Sequence, residues 1–128
     1  MPLYNLACTK PLTPVERQAV ASAITKAHCD ETDAPAEFVN VVFMDGYPLP
    51  EPQIVSLLGG VRIGGNRTRE VVDRLRAALL AAVAGALDAP DDAVGMSLVG
   101  VPSNWIVEGG EVMPEPGAEQ EWLARKHA

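Results

Sequence analysis

The sequence has 128 residues, 48% of them hydrophobic, and a formal net charge of −7. This length and hydrophobic content predict one globular domain, because a disordered chain is more polar and two independent cores need more residues. The acidic balance, with a pI of about 4.7, argues against nucleic acids and anionic membranes as partners, since both bind basic surfaces.

We expect a cytoplasmic protein. The longest apolar run, residues 77–87, is far shorter than the about 20 residues of a membrane-spanning helix, and the first residues do not resemble a signal peptide. Cys8 and Cys29 form no C-x-x-C pair and suit a reducing compartment as separate thiols. Histidine, cysteine and acidic residues are too scattered to predict a zinc site.

The first half of the chain predicts a strand, a helix and a second strand. Residues 3–8 are short, apolar and partly alternating, as in a strand. A helix is expected over residues 14–29. Thr13 is its N-cap, a proline takes the first helical position, and Glu16 completes a capping box. Residues 38–44 (FVNVVFM) are apolar and β-branched and predict a buried strand.

The second half repeats this order. Residues 54–63 predict a strand in which Gly59-Gly60 marks a bulge or a close backbone approach. Asn66 is the expected N-cap of a helix that ends near residue 87, and residues 94–101 predict the last long strand. The rest of the tail is expected to be irregular and polar, apart from a short strand at residues 111–113.

These elements predict an α+β fold of tandem βαβ units, about residues 1–46 and 53–102, within a single domain of residues 1–128. Strands joined by a helix are expected to be parallel, with a right-handed crossover. Four strands in a mixed sheet with two helices on one face leave the other face bare. We expect oligomerisation to cover that face.

The Met1-Pro2 start is a candidate reactive group. Methionine is normally removed before so small a residue, and Pro2 then carries a free secondary amine. An α-amine titrates at about pH 8 and burial lowers its pKa, so this group can exchange protons near neutral pH. The alternative is a proline that merely begins an edge strand, where its missing N–H is not needed.

Three segments resemble the tautomerase superfamily, and within it the cis-3-chloroacrylic acid dehalogenase group. They are the opening Pro2-Leu3-Tyr4, the run Ala23-Ile24-Thr25-Lys26-Ala27-His28, and residues 102–122 with Val107-Glu108, Gly110, Pro116-Gly117 and Glu119-x-Glu121-Trp122. The resemblance implies a trimer of double βαβ protomers, with the processed Pro2 as catalytic acid or base.

His28 and two arginines are the candidate substrate-binding residues. Read alone, His28 is a helix-end histidine that interacts with the last carbonyl groups; the resemblance makes it a substrate-binding or carbonyl-polarising group. The resemblance also implies two arginines, three residues apart, that clamp a carboxylate. Arg67 matches the second, Gly64 occupies the first position, and Arg62 is the possible substitute. The alternative for these arginines is a solvated helix face.

Glu108 matches the water-activating glutamate of the group, and its apolar neighbours favour a raised pKa. The alternative is a surface carboxylate in a turn. Two positions depart from the group's pattern, because Ser97 and Gly109 stand where tyrosines are usual. Ser97 has a hydroxyl but lacks the reach and acidity of a phenol, which disfavours hydrolytic dehalogenation.

The resemblance therefore implies an enzyme, a tautomerase or a dehalogenase-like hydrolase, that uses Pro2 to transfer protons on small 2-oxo or α,β-unsaturated carboxylates. We expect tautomerisation above hydration or dehalogenation, a homotrimer, and no metal or organic cofactor. Two alternatives stay open: a malonate-semialdehyde-type decarboxylase that uses the same proline, and a non-catalytic trimer that binds a small carboxylate or a protein partner.

Overall fold

The computed structural model describes residues 1–127. Its helices are α1 (Pro14–Thr32), α2 (Arg69–Ala86) and α3 (Glu119–Lys126), and its strands are β1 (Leu3–Cys8), β2 (Asn40–Met44), β3 (Val55–Ile63), β4 (Val94–Pro102), β5 (Val107–Glu108) and β6 (Glu111–Val112). Single turns of 3-10 helix precede β2 and β4 and follow β4. No helix within residues 1–127 is long and apolar enough to cross a membrane.

The main sheet has the strand order β2-β1-β3-β4. The outer strands run parallel to their inner neighbours, with Leu3 opposite Asn40 and Val55 opposite Val94. The two inner strands are antiparallel, with Leu3 opposite Gly60. Each half is thus a βαβ unit, and the predicted mixed four-stranded sheet is confirmed.

Helices α1 and α2 pack on one face of this sheet. Alternation along the strands directs Tyr4 and Leu6 of β1 into the core, where they meet Ile24 of α1 and Leu75 of α2. The opposite face exposes apolar side chains: Leu3, Val42, Met44, Leu58 and Val99. A monomer would leave this patch in water.

Most predicted boundaries agree with the structure, and the differences are local. The capping box at Thr13 and Glu16 forms as predicted, but α1 continues to Thr32. Asn66 is not the N-cap of α2. Thr68 holds that position, and its hydroxyl accepts from the Val71 N–H. The second strand begins at Asn40, after one 3-10 turn, and the prediction that it is buried is wrong: β2 is an outer strand without a buried residue.

The glycine pair in β3 marks a close approach and not a bulge, because the register with β1 is unbroken. A Cβ at Gly59 would lie 2.5 Å from Cε1 of the Tyr4 ring. Glycine is therefore required where the tyrosine ring crosses the strand.

The C-terminal tail contains helix α3, which the sequence did not predict. It has no side-chain N-cap and spans eight residues, too few for a helix that is stable alone. Its stability comes from docking: the Trp122 ring stands edge-on to Phe38, with centroids 6.0 Å apart, and Trp122 Nε1 donates to Val112 O.

Candidate active site

The amino terminus lies where β1 begins and the C-terminal segment crosses the end of the sheet. The Met1 ammonium donates to Glu108 Oε2 at 2.8 Å and to Phe38 O at 3.1 Å. Pro2 is buried, and its carbonyl accepts from Asn40 N. One residue spans at most roughly 3.6 Å, so the Pro2 nitrogen is close to both groups that hold the Met1 ammonium.

His28 lies on the buried face of α1, near its C-terminal end, and is only 1% exposed. Its Nδ1 is 2.7 Å from the Tyr4 hydroxyl. The tyrosine hydroxyl is satisfied when it donates to Nδ1, which places the ring hydrogen on Nε2. Nε2 is buried and has no hydrogen-bond partner within residues 1–127. It is therefore an unused donor.

The imidazole of His28 is neutral at physiological pH. Burial lowers its pKa to about 3, and the positive charges of Arg67, Arg62 and the amino terminus contribute. Arg67, Arg62 and the amino terminus therefore lie near enough to the imidazole to act on its charge. Burial likewise raises the pKa of Tyr4 above its ordinary value, so the phenol stays protonated.

Arg67 is held in the loop before α2, and its side chain is almost fully buried. Nη1 donates to Thr32 O, at the C-terminal end of α1, and to Asn66 Oδ1. Nε has no partner within the described residues. Nη2 is 4.0 Å from Glu119 Oε1, too far for a hydrogen bond. The Nε–Nη2 edge of the guanidinium is thus free to bind a planar anion.

Arg62 is also buried, but its donors are engaged. Nη1 donates to Pro114 O at 2.8 Å, and Nη2 pairs with Glu119 Oε1 at 2.6 Å. Its guanidinium lies over the Phe38 ring, 5.5 Å from the centroid. Glu119 is itself buried, and its second oxygen accepts from Gly117 N.

The structure therefore brings Pro2, His28, Arg62, Arg67 and Glu108 to one end of the sheet, and it adds Glu119. Glu119 belongs to a motif that the sequence resemblance includes, but no role was predicted for it. Its burial depends on α3, which itself forms only by docking, so no local pattern marks this glutamate as a buried counter-ion.

Glu108 lies on the β5–β6 hairpin, and its side chain is 39% exposed. The hairpin turn is Gly109-Gly110, with φ of 60° and 80°. A two-residue turn with positive φ at both positions favours glycine, which gives Gly109 a structural reason to replace tyrosine. A cleft of about 150 Å³, lined by Glu108, Phe38 and Trp122 among others, opens beside the carboxylate.

The other sequence candidates lie elsewhere. Ser97 projects from β4 opposite Leu58, in a cleft on the bare face of the sheet. Three further arginines are exposed on α2: Arg69, Arg76 and Arg74, which pairs with Glu31 of α1. Cys8 and Cys29 are free thiols. Within residues 1–127, no group of three or more histidine, cysteine or acidic residues is placed to bind a metal ion.

No family model matches the sequence, and no curated protein matches it significantly. The chain is similar to the crystal structure of N1, a member of the cis-3-chloroacrylic acid dehalogenase family. The identity is 30%, the TM-score is 0.85, and the match covers 96% of this chain and 91% of N1.

Two further structures share the fold at lower identity. A fused 4-OT, described as a symmetric trimer, has 22% identity and a TM-score of 0.72, over 88% of this chain and 95% of that one. Pt0534, inactivated by 2-oxo-3-pentynoate, has 21% identity and the same TM-score of 0.72, over 88% and 96%. The match to N1, at 30% identity over nearly the whole of both chains, shows that this chain belongs to the tautomerase superfamily, in its cis-3-chloroacrylic acid dehalogenase-like group.

Proposed function

We propose that the processed chain uses the Pro2 amine to transfer protons on small 2-oxo or α,β-unsaturated carboxylates, chiefly in keto–enol tautomerisation. One observation carries this proposal: the amino terminus, an uncharged buried imidazole and a guanidinium with a free edge meet at one site. These three groups suit a small carboxylate as the substrate. Pt0534, which shares the fold, is inactivated by a small 2-oxo carboxylate, and this supports the choice of substrate class.

Arg67 would bind the substrate carboxylate. Its free Nε and Nη2 match the two oxygens of a carboxylate, and charge-assisted bidentate pairs are among the strongest hydrogen bonds in proteins. The Thr32 and Asn66 contacts hold the guanidinium in place, so little side-chain entropy is lost on binding. Arg62 would not clamp the same carboxylate, because Glu119 already occupies it.

Pro2 would transfer the proton, and His28 would stabilise the charge that develops on the substrate. The Pro2 nitrogen exchanges a proton with the carbon next to the carbonyl group, and charge develops on the substrate oxygen. The Nε2–H of His28 is an unused donor that can stabilise this oxygen. The Met1 ammonium, one residue away, pairs with Glu108 at 2.8 Å, so the Pro2 nitrogen lies near a carboxylate. In ketonisation the amine accepts the proton of the enol oxygen as base and delivers a proton to the carbon as acid.

Glu108 would activate water only in the hydration branch, and we propose that this branch is weak. The carboxylate is close enough to the amino terminus to polarise a water molecule beside the substrate. Within a single chain, however, the position of the family tyrosine is Ser97, on the other face of the sheet. A phenol at that position would then not help Glu108 to hold the water.

We also propose that the protein is a homotrimer. The bare sheet face carries contiguous apolar side chains, and a fused 4-OT with the same fold is a symmetric trimer. Contacts between protomers would bury Leu3, Leu58 and Val99, among others.

The test compares two forms of the same chain in the ketonisation of phenylenolpyruvate. One form has lost Met1 and the other retains it, as established by intact mass. We expect turnover only by the processed form, since the retained form has an amide at Pro2. Equal rates for both forms would contradict the proposal. No turnover by the processed form, combined with Arg67-dependent carboxylate binding, would favour the non-catalytic trimer. Carbon dioxide release from malonate semialdehyde would favour the decarboxylase.

A further inference from the structure

The proposed binding site for the substrate carboxylate already contains a carboxylate of the protein, that of Glu119. Glu119, the first residue of α3, is 4% exposed and pairs with Arg62 at 2.6 Å, while the same oxygen is 4.0 Å from Arg67 Nη2. One glutamate thus stands between two buried guanidinium groups. Its other oxygen is fixed by the Gly117 N–H at 2.9 Å.

Several contacts keep this glutamate in place. Trp122, one turn further along α3, packs edge-on against Phe38, the residue whose ring lies under the Arg62 guanidinium. The segment before α3 is tied to the arginine loop, because the Asn66 N–H donates to Pro116 O at 3.0 Å. Glu119 is therefore part of a built cluster and not a surface side chain that happens to face an arginine.

The buried charges of this cluster do not balance. Arg62 and Arg67 contribute two positive charges and Glu119 contributes one negative charge, while burial lowers the pKa of His28 and keeps it uncharged. One positive charge remains. Glu119 is hydrogen-bonded to Arg62 and lies 4.0 Å from Arg67, so one buried carboxylate serves two guanidinium groups. Arg67 Nε is buried and has no hydrogen-bond partner within the described residues, so the site is suited to one added anion of unit charge.

We infer that Glu119 is a specificity-determining residue: it neutralises Arg62 and thereby restricts the site to substrates with a single carboxylate. This inference rests on the proposed binding of substrate at Arg67. A second carboxylate directed toward Arg62 would meet Glu119, which already pairs with that guanidinium. In place of a clamp of two arginines on one anion, the chain has one arginine for the substrate and one for its own glutamate.

The test measures the binding of two inert acids of nearly equal size, butanoate and succinate, by calorimetry. Succinate replaces the terminal methyl group of butanoate with a second carboxylate. The wild-type protein is expected to bind butanoate at least fivefold more tightly than succinate. Glu119→Gln keeps the shape and hydrogen-bonding oxygen of the side chain and removes its charge. The affinity ratio of succinate to butanoate is expected to rise at least tenfold in this variant.

Glu121→Gln is the matched control, because Glu121 lies on the same helix and is exposed. It is expected to leave the affinity ratio unchanged. Glu119→Asp, which keeps the charge, is expected to retain the wild-type preference for butanoate. An unchanged ratio in Glu119→Gln would overturn the inference. Wild-type protein that binds succinate at least as tightly as butanoate would also overturn it, even if Glu119→Gln does not fold.

The two acids undergo no proton transfer at this site, so the result is independent of turnover. A shifted ratio together with inactive wild-type protein would contradict the proposed catalysis and leave the inference about Glu119 intact. Active protein with an unshifted ratio would contradict only the inference.

Discussion

The two βαβ units repeat one topology, yet only one end of the sheet carries a candidate site. Leu3 of β1 and Val55 of β3 hold equivalent positions, each opposite the first residues of its parallel partner strand. The residue before Leu3 is Pro2, next to the amino terminus. The residue before Val55 is Ile54, whose N–H is an ordinary amide that donates to Ala93 O at 2.8 Å.

The side chains around the two ends of the sheet differ even more than the backbone nitrogens of Pro2 and Ile54. The end with Pro2 contains two buried arginines and is crossed by the C-terminal segment, which contributes Glu108 and Glu119. The other end has the exposed carboxylates Asp91 and Asp92 in the turn before β4. An anionic substrate would be attracted to the first end and repelled by the second. The repeated fold thus supplies a frame, and the additions at one end supply the chemistry.

The largest effect is expected when the cation of the site is removed. Arg67→Gln keeps a polar side chain but loses the charged bidentate edge, so kcat/KM for phenylenolpyruvate should fall on the order of 10²- to 10³-fold. Arg69→Gln, two residues away and exposed, is the control and should change the value little. Equal losses of kcat/KM in both variants would show that the activity depends on general surface charge and not on Arg67 in particular.

A smaller loss is expected when the uncharged donor of the site is removed. His28→Phe deletes the Nε2–H and should lower kcat by roughly 10- to 100-fold, since one donor to a developing oxyanion has an effect of this order. Tyr4→Phe removes only the hydroxyl that orients the ring and should lower kcat less. If Tyr4→Phe were the more damaging change, the imidazole would not be the donor.

The free energy of unfolding should depend on pH, because the His28 imidazole is neutral in the folded protein. The pKa of His28 is about 3 when folded and about 6.5 when unfolded, so between these values the unfolded chain binds the additional proton. The free energy of unfolding should then fall as the pH drops from roughly 6.5 to 5, by up to about 1.4 kcal/mol per pH unit. Urea unfolding at fixed protein concentration measures this slope. His28→Gln should flatten it, and an identical slope in the variant would contradict the assignment.

The smallest kinetic effect is expected at Glu108. Ketonisation needs no activated water, so Glu108→Gln should change its kcat/KM less than about fivefold. Glu111→Gln, the partner of Glu108 across the hairpin, is the control. A loss much greater than fivefold would assign Glu108 a direct part in tautomerisation.

The sequence predicted the parts of the molecule that local signals specify. The capping box at Thr13, the apolar strands and the duplicated βαβ order all follow from patterns within a few residues of each other. Pro2 was a candidate from the Met1-Pro2 start alone, and the resemblance added roles for His28 and Arg67 that stay predictions. Helix α3 and Glu119 were missed because their stability and burial come from contacts with Phe38 and Arg62, more than 50 residues away in sequence. Local patterns do not contain such contacts.

The role of the Pro2 nitrogen in proton transfer is tested most directly by the rate of phenylenolpyruvate ketonisation. The rate is measured for the wild-type protein and for Pro2→Ala, both shown by intact mass to lack Met1. Alanine leaves a primary amine, which is not fixed by a pyrrolidine ring and can turn away from the substrate carbon. If the Pro2 nitrogen transfers the proton, kcat should fall on the order of 10²- to 10⁴-fold, with a much smaller change in KM. A kcat that is unchanged in Pro2→Ala would show that the Pro2 nitrogen does not transfer the proton.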